Sequence, residues 1–484
     1  MRAEALDEPE LEFGGASRHI DPRFGICSYG PADLAVPGAP RAIRVGLVGP
    51  SASLDGLRNW LERCRDPIPA KDERYPHLFP AFPGFDTDRS LHSTLVFSDR
   101  NTRGLSSQVL RRMVGPDKAE ALELAVAAYA DEVSALAEGN RVDVILIARP
   151  DELTDTGTTV RRQRRAVRSS SAGTSAAAMP LGPQTANFHD VLKARVLHLG
   201  PPIQIIRRGT WDETVATSAG RRRQDEATRA WNLHVAMYYK AGGVPWRLPR
   251  ATTDLTVCFI GVSFYRNVYG TAIETSVAQV FNERGDGVIV RGGPASINSD
   301  DKQPHLSAAD AHGLLNEALE AYRREHRTLP ARVVLHKSSR FTEPELDGFQ
   351  RAADGRGVDA LELVWIVGSE PAHLFRPGAA PPLRGTLLTL EDHAAALYTK
   401  GSVQFYSTYP GMYVPQPIGI RPAMTDRSIR EIAAELLALS KMNWNQTQLD
   451  GRLPVTLRTA NQVKAILRFA SFEPATSTTY AHFM

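Results

Sequence analysis

Five polar residues in otherwise apolar surroundings set the chemical question. In NFHDVLKA (187–194), His189 and Lys193 stand four residues apart, one above the other if the segment is helical. In PIQIIR (202–207), Gln204 interrupts an apolar strand-like run, where its amide needs a partner. In RAWNLHVAMYYK (229–240), Asn232, Ala236 and Lys240 fall on one helical face of a segment that is apolar nearly all round. Two lysines, a histidine and a glutamine converging between two helices would hold one terminal phosphate. Lysines supply charge, and glutamine and histidine supply directed hydrogen bonds. Each residue also has a plain structural role. A lysine at a helix C-terminus complements the dipole, and a buried glutamine can cap a strand.

The elements that must position these residues read as α/β. IRVGLVGP (43–50), HSTLVFSD (92–99) and RVDVILIARP (141–150) are apolar strands. Between them lie helical patterns at 53–64 and KAEALELAVAAYADEVSALAE (118–138). Strand, helix, strand, helix, strand is the pattern of a parallel sheet. Residues 151–185, rich in Thr, Arg, Ser, Ala and Gly, read as a flexible basic insertion. A helix over 187–197 and a strand over 202–207 complete a first lobe. A second series begins after the glycines at 242 and 243. It has strands at 253–265, 286–293, 331–339 and 360–368, and helices at 307–328, 343–352, 426–442 and 457–470. The chain divides into an N-terminal arm (1–40), a lobe over 41–245 and a lobe over 246–484. The arm is too poor in apolar residues for a core of its own and is expected to pack on something else.

Composition narrows the function. The 484 residues suffice for two or three domains. A formal net charge of +3 excludes a uniformly basic surface, although RRQRR (161–165), Arg207–Arg208 and RRR (221–223) concentrate positive charge. Cys27, Cys64 and Cys258 are far apart, which excludes a paired-cysteine zinc site and a disulfide framework. With no signal-like N-terminus and no long apolar run, a cytoplasmic protein is expected. The first strand–helix turn, VGPSAS (48–53), lacks both the dinucleotide-binding and the P-loop glycine patterns.

The stretch NLHVAMYYKAGGVPWRL (232–248) resembles the junction of the MID and PIWI domains in prokaryotic Argonautes. FIGVSFYRN (259–267), LHKSSRFTEPELDGF (335–349) and MNWNQTQLDGRLPVTLRTANQVKAILR (442–468) are similar to PIWI segments. The resemblance implies a Rossmann-like MID domain followed by an RNase H-like PIWI domain. Without room for N and PAZ domains, the chain looks like a short Argonaute.

By that resemblance His189, Lys193, Gln204 and Lys240 hold the 5′-phosphate of a guide strand, and Asn232 lies near its first nucleotide. A Mg²⁺ ion would join the phosphate, bound by Gln204 and the terminal carboxylate of Met484. The carboxylates of an RNase H-like nuclease would fall at Gly261, Ser338 and Asn461, none of which can act as an anionic metal ligand. Asp254 lies too early on the same strand to substitute. The family implies a guide RNA, a single-stranded DNA target from an invader, and an APAZ-containing effector partner. A sirtuin-like NAD-hydrolysing partner is favoured over a TIR domain or a nuclease, with the arm at its interface. The resulting expectation is an inactive sensor whose partner responds in defence by abortive infection. An active guide-dependent endonuclease and a small phosphate-ligand enzyme are the alternatives.

Overall fold

The computed structural model describes residues 2–70, 75–113, 117–139, 141–150, 158–159, 185–215, 223–249, 255–266, 273–280, 287–391, 393–411, 413–449, 451–470 and 478–484. The basic runs at 161–165 and 221–222, nearly all of the expected insertion at 151–185, and Asp254 lie outside these residues.

Four parallel strands form the sheet of the first lobe: β1 (Ala42–Pro50), β2 (Thr94–Leu105), β3 (Val144–Ala148) and β4 (Ile203–Ile206), in the order β2-β1-β3-β4. All five residues of β3 are buried, as a parallel strand covered on both faces requires. Helices α1 (Ser51–Arg63), α2 (Lys118–Glu138), α3 (Phe188–Val196) and α4 (Glu226–Lys240) accompany these strands. Side chains fix three of the helix starts. Asp117 accepts from Ala119 and Glu120 N–H, Asn187 from Asp190 N–H, and Asp225 from Thr228 N–H.

The second lobe is a mixed sheet. An antiparallel meander of β5 (Val257–Arg266), β6 (Ile273–Val280) and β7 (Val288–Ile297) joins parallel β8 (Arg332–Lys337) and β9 (Ala360–Val367). It continues antiparallel through β10 (Thr386–Glu391), β11 (Ala394–Leu397) and β12 (Ile418–Met424). Helices α5 (Ala308–His326), α6 (Glu343–Arg356), α7 (Ile429–Leu439) and α8 (Val455–Leu467) belong to this lobe. No helix among the described residues is long and apolar enough to cross a membrane.

The N-terminal segment is woven into this second lobe, so it is an integral part of the sheet and its supports. Its strand Arg2–Ala5 pairs antiparallel with β10. Glu8 meets Arg384 and Lys441, both at 3.0 Å, and these ion pairs hold its carboxyl below the usual range against the opposing effect of burial. Asp21 pairs with Arg23 at 2.9 Å and also accepts from the Tyr406 hydroxyl. Leu11 and Phe13 are fully buried. These apolar residues fill gaps in a core that other segments build.

The lobes meet at the end of α4. Ala241 and Gly243 N–H close the helix on the Met237 and Tyr238 carbonyls, and Gly242 takes φ 90°, which glycine adopts without strain. A Cβ on Gly243 would lie 2.3 Å from the Tyr238 ring. Asp33 locks the turn, accepting from the Tyr238 hydroxyl at 2.7 Å and from Val244 N–H at 2.9 Å. Trp246 is fully buried beyond the turn, and its main-chain oxygen accepts from Trp444 Nε1 at 3.1 Å.

Candidate nucleic-acid-binding site

Lys193 and Lys240 meet. Lys193 projects from α3 and is 1% exposed; Lys240 ends α4 and is 4% exposed. Both ammonium groups donate to the main-chain oxygen of Met484, Lys240 at 3.1 Å. Lys193 also reaches the His482 carbonyl at 3.1 Å, and Lys240 the Ala481 carbonyl at 2.6 Å. The tail at 480–484 is anchored by buried Tyr480 and Phe483, and by the His482 ring donating to the Gly200 carbonyl at 3.2 Å. Two lysine side chains thus share a pocket with the carbonyls of Ala481 and His482 and the main-chain oxygen of Met484.

The electrostatic consequence is large. Burial pushes the Lys193 pKa down to about 7, with Asp190 acting in the opposite direction. Burial and the neighbouring Lys193 charge hold Lys240 well below the ordinary lysine range. His189 sits at the mouth of the site with its side chain half-exposed. Its Nδ1 lies 2.9 Å from Asp190 Oδ1. Burial lowers its pKa, Asp190 opposes this, and both lysines lower it further. Gln204 stands on β4 with its Oε1 buried and without a hydrogen-bond partner, an orphan that a ligand would satisfy.

Asn232 has a different setting from the other four. Its Oδ1 accepts from Thr447 N–H at 2.8 Å and from the Thr447 hydroxyl at 3.1 Å, so its carbonyl end braces the second lobe. The structure therefore unites Lys193, Lys240 and Met484, keeps His189 within electrostatic reach, and adds the tail carbonyls. Those carbonyls are main-chain atoms and carry no signature in residue type.

In the second lobe, Gly261 lies on β5 directly beneath α8. A Cβ there would stand 2.2 Å from the Thr456 carbonyl oxygen. Ser263, two residues on and therefore on the same face, is the group presented instead. Its hydroxyl donates to Asn461 Oδ1 at 3.0 Å and accepts from Lys464 Nζ at 3.3 Å. Ser338 follows β8, is exposed, and donates its N–H to the Val262 carbonyl at 3.1 Å. Ser263 and Lys464 escape notice in sequence, although each has a signal. One is at strand period from Gly261, and the other is a helical turn beyond Asn461. Among the described residues no three His, Cys, Asp or Glu side chains form a group able to hold a metal.

No protein-family model and no curated protein matches the chain. Solved structures do. Argonaute from Clostridium butyricum, bound to a guide DNA and a 19-mer target DNA, superposes with TM-score 0.65 at 14% identity over 97% of this chain. A. aeolicus Argonaute superposes with TM-score 0.59 at 13% identity over 99%. The structure of Aa-Ago with externally bound siRNA gives 0.60 at 13%. The chain spans about half the length of these proteins: 53%, 55% and 56% in the same order. Its parallel four-stranded lobe and large mixed sheet match an Argonaute MID–PIWI fold.

Proposed function

We propose that the chain is a short Argonaute that anchors the 5′-phosphate of a guide strand in the first lobe and holds a guide–target duplex on the second without cleaving it. The observation that carries this reading is the pair of buried ammonium groups converging on one oxygen. Two lysines whose charge is disfavoured by burial are complementary to a dianion entering as a chain end.

In this reading Lys193 and Lys240 hold the phosphate, and His189 and Gln204 bond its remaining oxygens. The amide nitrogen of Asn232, which has no hydrogen bond among the described residues, faces the first nucleotide. The donor set also fits a Mg²⁺ ion in company with the phosphate. Gln204 Oε1 and the terminal oxygen of Met484 are hard ligands of the type this ion takes. When bound, the ion would supply charge that draws the phosphate to the tail. The two ammonium groups oppose a cation arriving alone.

Loss of cleavage is supported by the chemistry around Gly261. The RNase H-like reaction needs carboxylates holding two Mg²⁺ ions, and the residues present do not fit them. Position 261 has no space for a side chain, and its surroundings are hydroxyl, amide and ammonium. Base pairing would then supply sequence specificity while the protein reads backbone and shape.

The finer reading follows the family resemblance. The guide is RNA, the target is single-stranded invader DNA, and an APAZ-containing effector, sirtuin-like by preference, is the partner whose NAD hydrolysis gives the defensive output. The cytoplasm is the compartment where these meet. Binding of 5′-phosphorylated and 5′-hydroxyl RNA of one sequence to the purified chain tests the core of this proposal. A clear preference for the phosphorylated strand, lost in Lys193→Met with Lys240→Met, supports it; equal affinities refute it. Co-purification of an APAZ protein with the tagged chain tests the partner.

A further inference from the structure

The network of Ser263, Asn461 and Lys464 opens onto a cavity of about 350 Å³ at the end of β5, β8 and β9. Ser263, Lys302, Gln303, Ser338, Ser339 and Lys464 supply its polar wall; Phe264, Trp365 and Val367 supply the apolar one. Among the described residues no carboxylate lines it. The nearest acid in sequence, Asp301, is engaged elsewhere: Oδ1 accepts from Gln303 N–H at 2.9 Å and Oδ2 lies 2.8 Å from His305 Nε2. Glu345, fully buried behind the cavity, is paired with Lys337 and the His305 ring.

We propose that this cavity seats one backbone phosphodiester of the nucleic acid laid across the second lobe, with Lys464 as its charge and the Ser338 hydroxyl as its hydrogen-bond donor. The inference rests on the proposal that this lobe holds a duplex, and goes beyond it by naming the contact.

Three features support a monoanion here. Lys464 is only partly exposed, and its ammonium group donates to a neutral hydroxyl; burial moves its pKa downward, and no acid among the described residues offsets it. The serine hydroxyl has its proton committed to Asn461, so the lysine is aimed by a fixed acceptor. The wall runs from buried Ser263 at the floor to exposed Lys302 and Ser338 at the rim, a shape that admits one group projecting from an extended chain. Lys302 is placed at that rim by a tight turn: its N–H donates to the Asn298 carbonyl at 3.1 Å, and it takes φ 57°. A divalent cation would meet the Lys464 charge with no carboxylate to offset it, so the site selects anions.

The test uses the full chain loaded with a 5′-phosphorylated guide and titrated with a complementary strand. Methylphosphonate linkages, which remove one backbone charge, are placed singly along either strand. In the unmodified protein, neutralising one linkage is expected to weaken duplex binding about tenfold, as for one lost charge-assisted contact. In Lys464→Met the same linkage is expected to have no further effect, and the slope of log affinity on log salt to fall by about 0.7–0.9. Lys302→Ala, at an exposed position, should give a smaller effect at the same linkage, and Lys464→Arg should retain the contact. The strand in which the sensitive linkage lies tells guide from target. Identical linkage profiles in the unmodified protein and Lys464→Met would overturn the proposal. Preference for a 5′-phosphate on guide alone is read separately. Its absence would refute the first-lobe site while leaving the linkage comparison decisive here, and a protein binding neither strand would sink both.

Discussion

Two lysine-centred sites stand in one molecule, and they are built on opposite plans. In the first lobe Lys193 and Lys240 are sealed from water and held against each other by carbonyls of the chain's own tail. In the second, Lys464 stands at the wall of an open cavity and leans on a serine hydroxyl. Enclosure makes the first pair unstable as charges, and so responsive to a dianion that restores them. The more open setting leaves the second charge partly hydrated, adequate for a diester that carries half the charge and remains part of a chain. On the proposed reading, burial, as much as the number of lysines, sets which phosphate a site selects.

The most forceful way to break the contrast is to make the second site anionic. Gly261→Asp must place a side chain where the Thr456 carbonyl lies, so a stability loss of about 3 kcal/mol or more is expected. Denaturant midpoints would measure it, and Mg²⁺-dependent cleavage should not appear. Gly261→Ala should already be destabilised, and a stable Gly261→Ala would show that α8 can yield. Next in size, Lys193→Met with Lys240→Met should lower the preference for a 5′-phosphate by about 100-fold, the worth of two charge-assisted contacts less their mutual repulsion. Thermal melts would confirm that the variant is folded.

A pH series sharpens the contrast. Lys193 in the free protein titrates near 7, and a bound phosphate raises that value. Binding above pH 7 therefore takes up a proton. The Lys193 contribution is full below about 7 and falls as pH rises, by at most about tenfold per unit for one proton. The guide's own second ionisation, near pH 6, is already complete in this range. A preference that stays flat from pH 7 to 9 would show that the lysines remain charged without ligand. The smallest effect is expected at Asn232→Ala. Loss of the Thr447 contact should cost about 1 kcal/mol of stability, and the 5′-phosphate preference should stay within about twofold.

The first lobe was largely legible in the chain, because its strands are continuous apolar runs and helices α2, α3 and α4 carry side-chain caps. Helix α2 occupies 118–138 with Asp117 as cap, as its periodicity indicates. In the antiparallel part of the second lobe β5 and β7 were legible, but β6 and β10 to β12 were not. Residues 394–397 read Ala-Ala-Ala-Leu, which favours a helix locally, yet they form β11 because neighbours on both sides supply ladder partners. The strand at Arg2–Ala5 exists for the same reason. In the site, spacing put Lys193 and Lys240 on suitable faces. It could not reveal what fills the space between them, since carbonyl oxygens are common to every residue. Attention to the missing carboxylates likewise passed over Ser263, which points where Gly261 cannot.

Helix α8 touches both sites. Its Thr456 backbone caps Gly261, its Asn461 and Lys464 serve the second-lobe cavity, and just past its end Arg468 lies 3.6 Å from Asp190, the partner of His189. At about 1.5 Å of rise per residue, Thr456 and Arg468 are roughly 18 Å apart along a rigid rod. Either end can change its residues without disturbing the other. A single inserted residue between 461 and 468 is a different matter. It would turn one end against the other by about 100° and throw the two sites out of phase. The helix therefore behaves as a gauge block, free in composition and fixed in length.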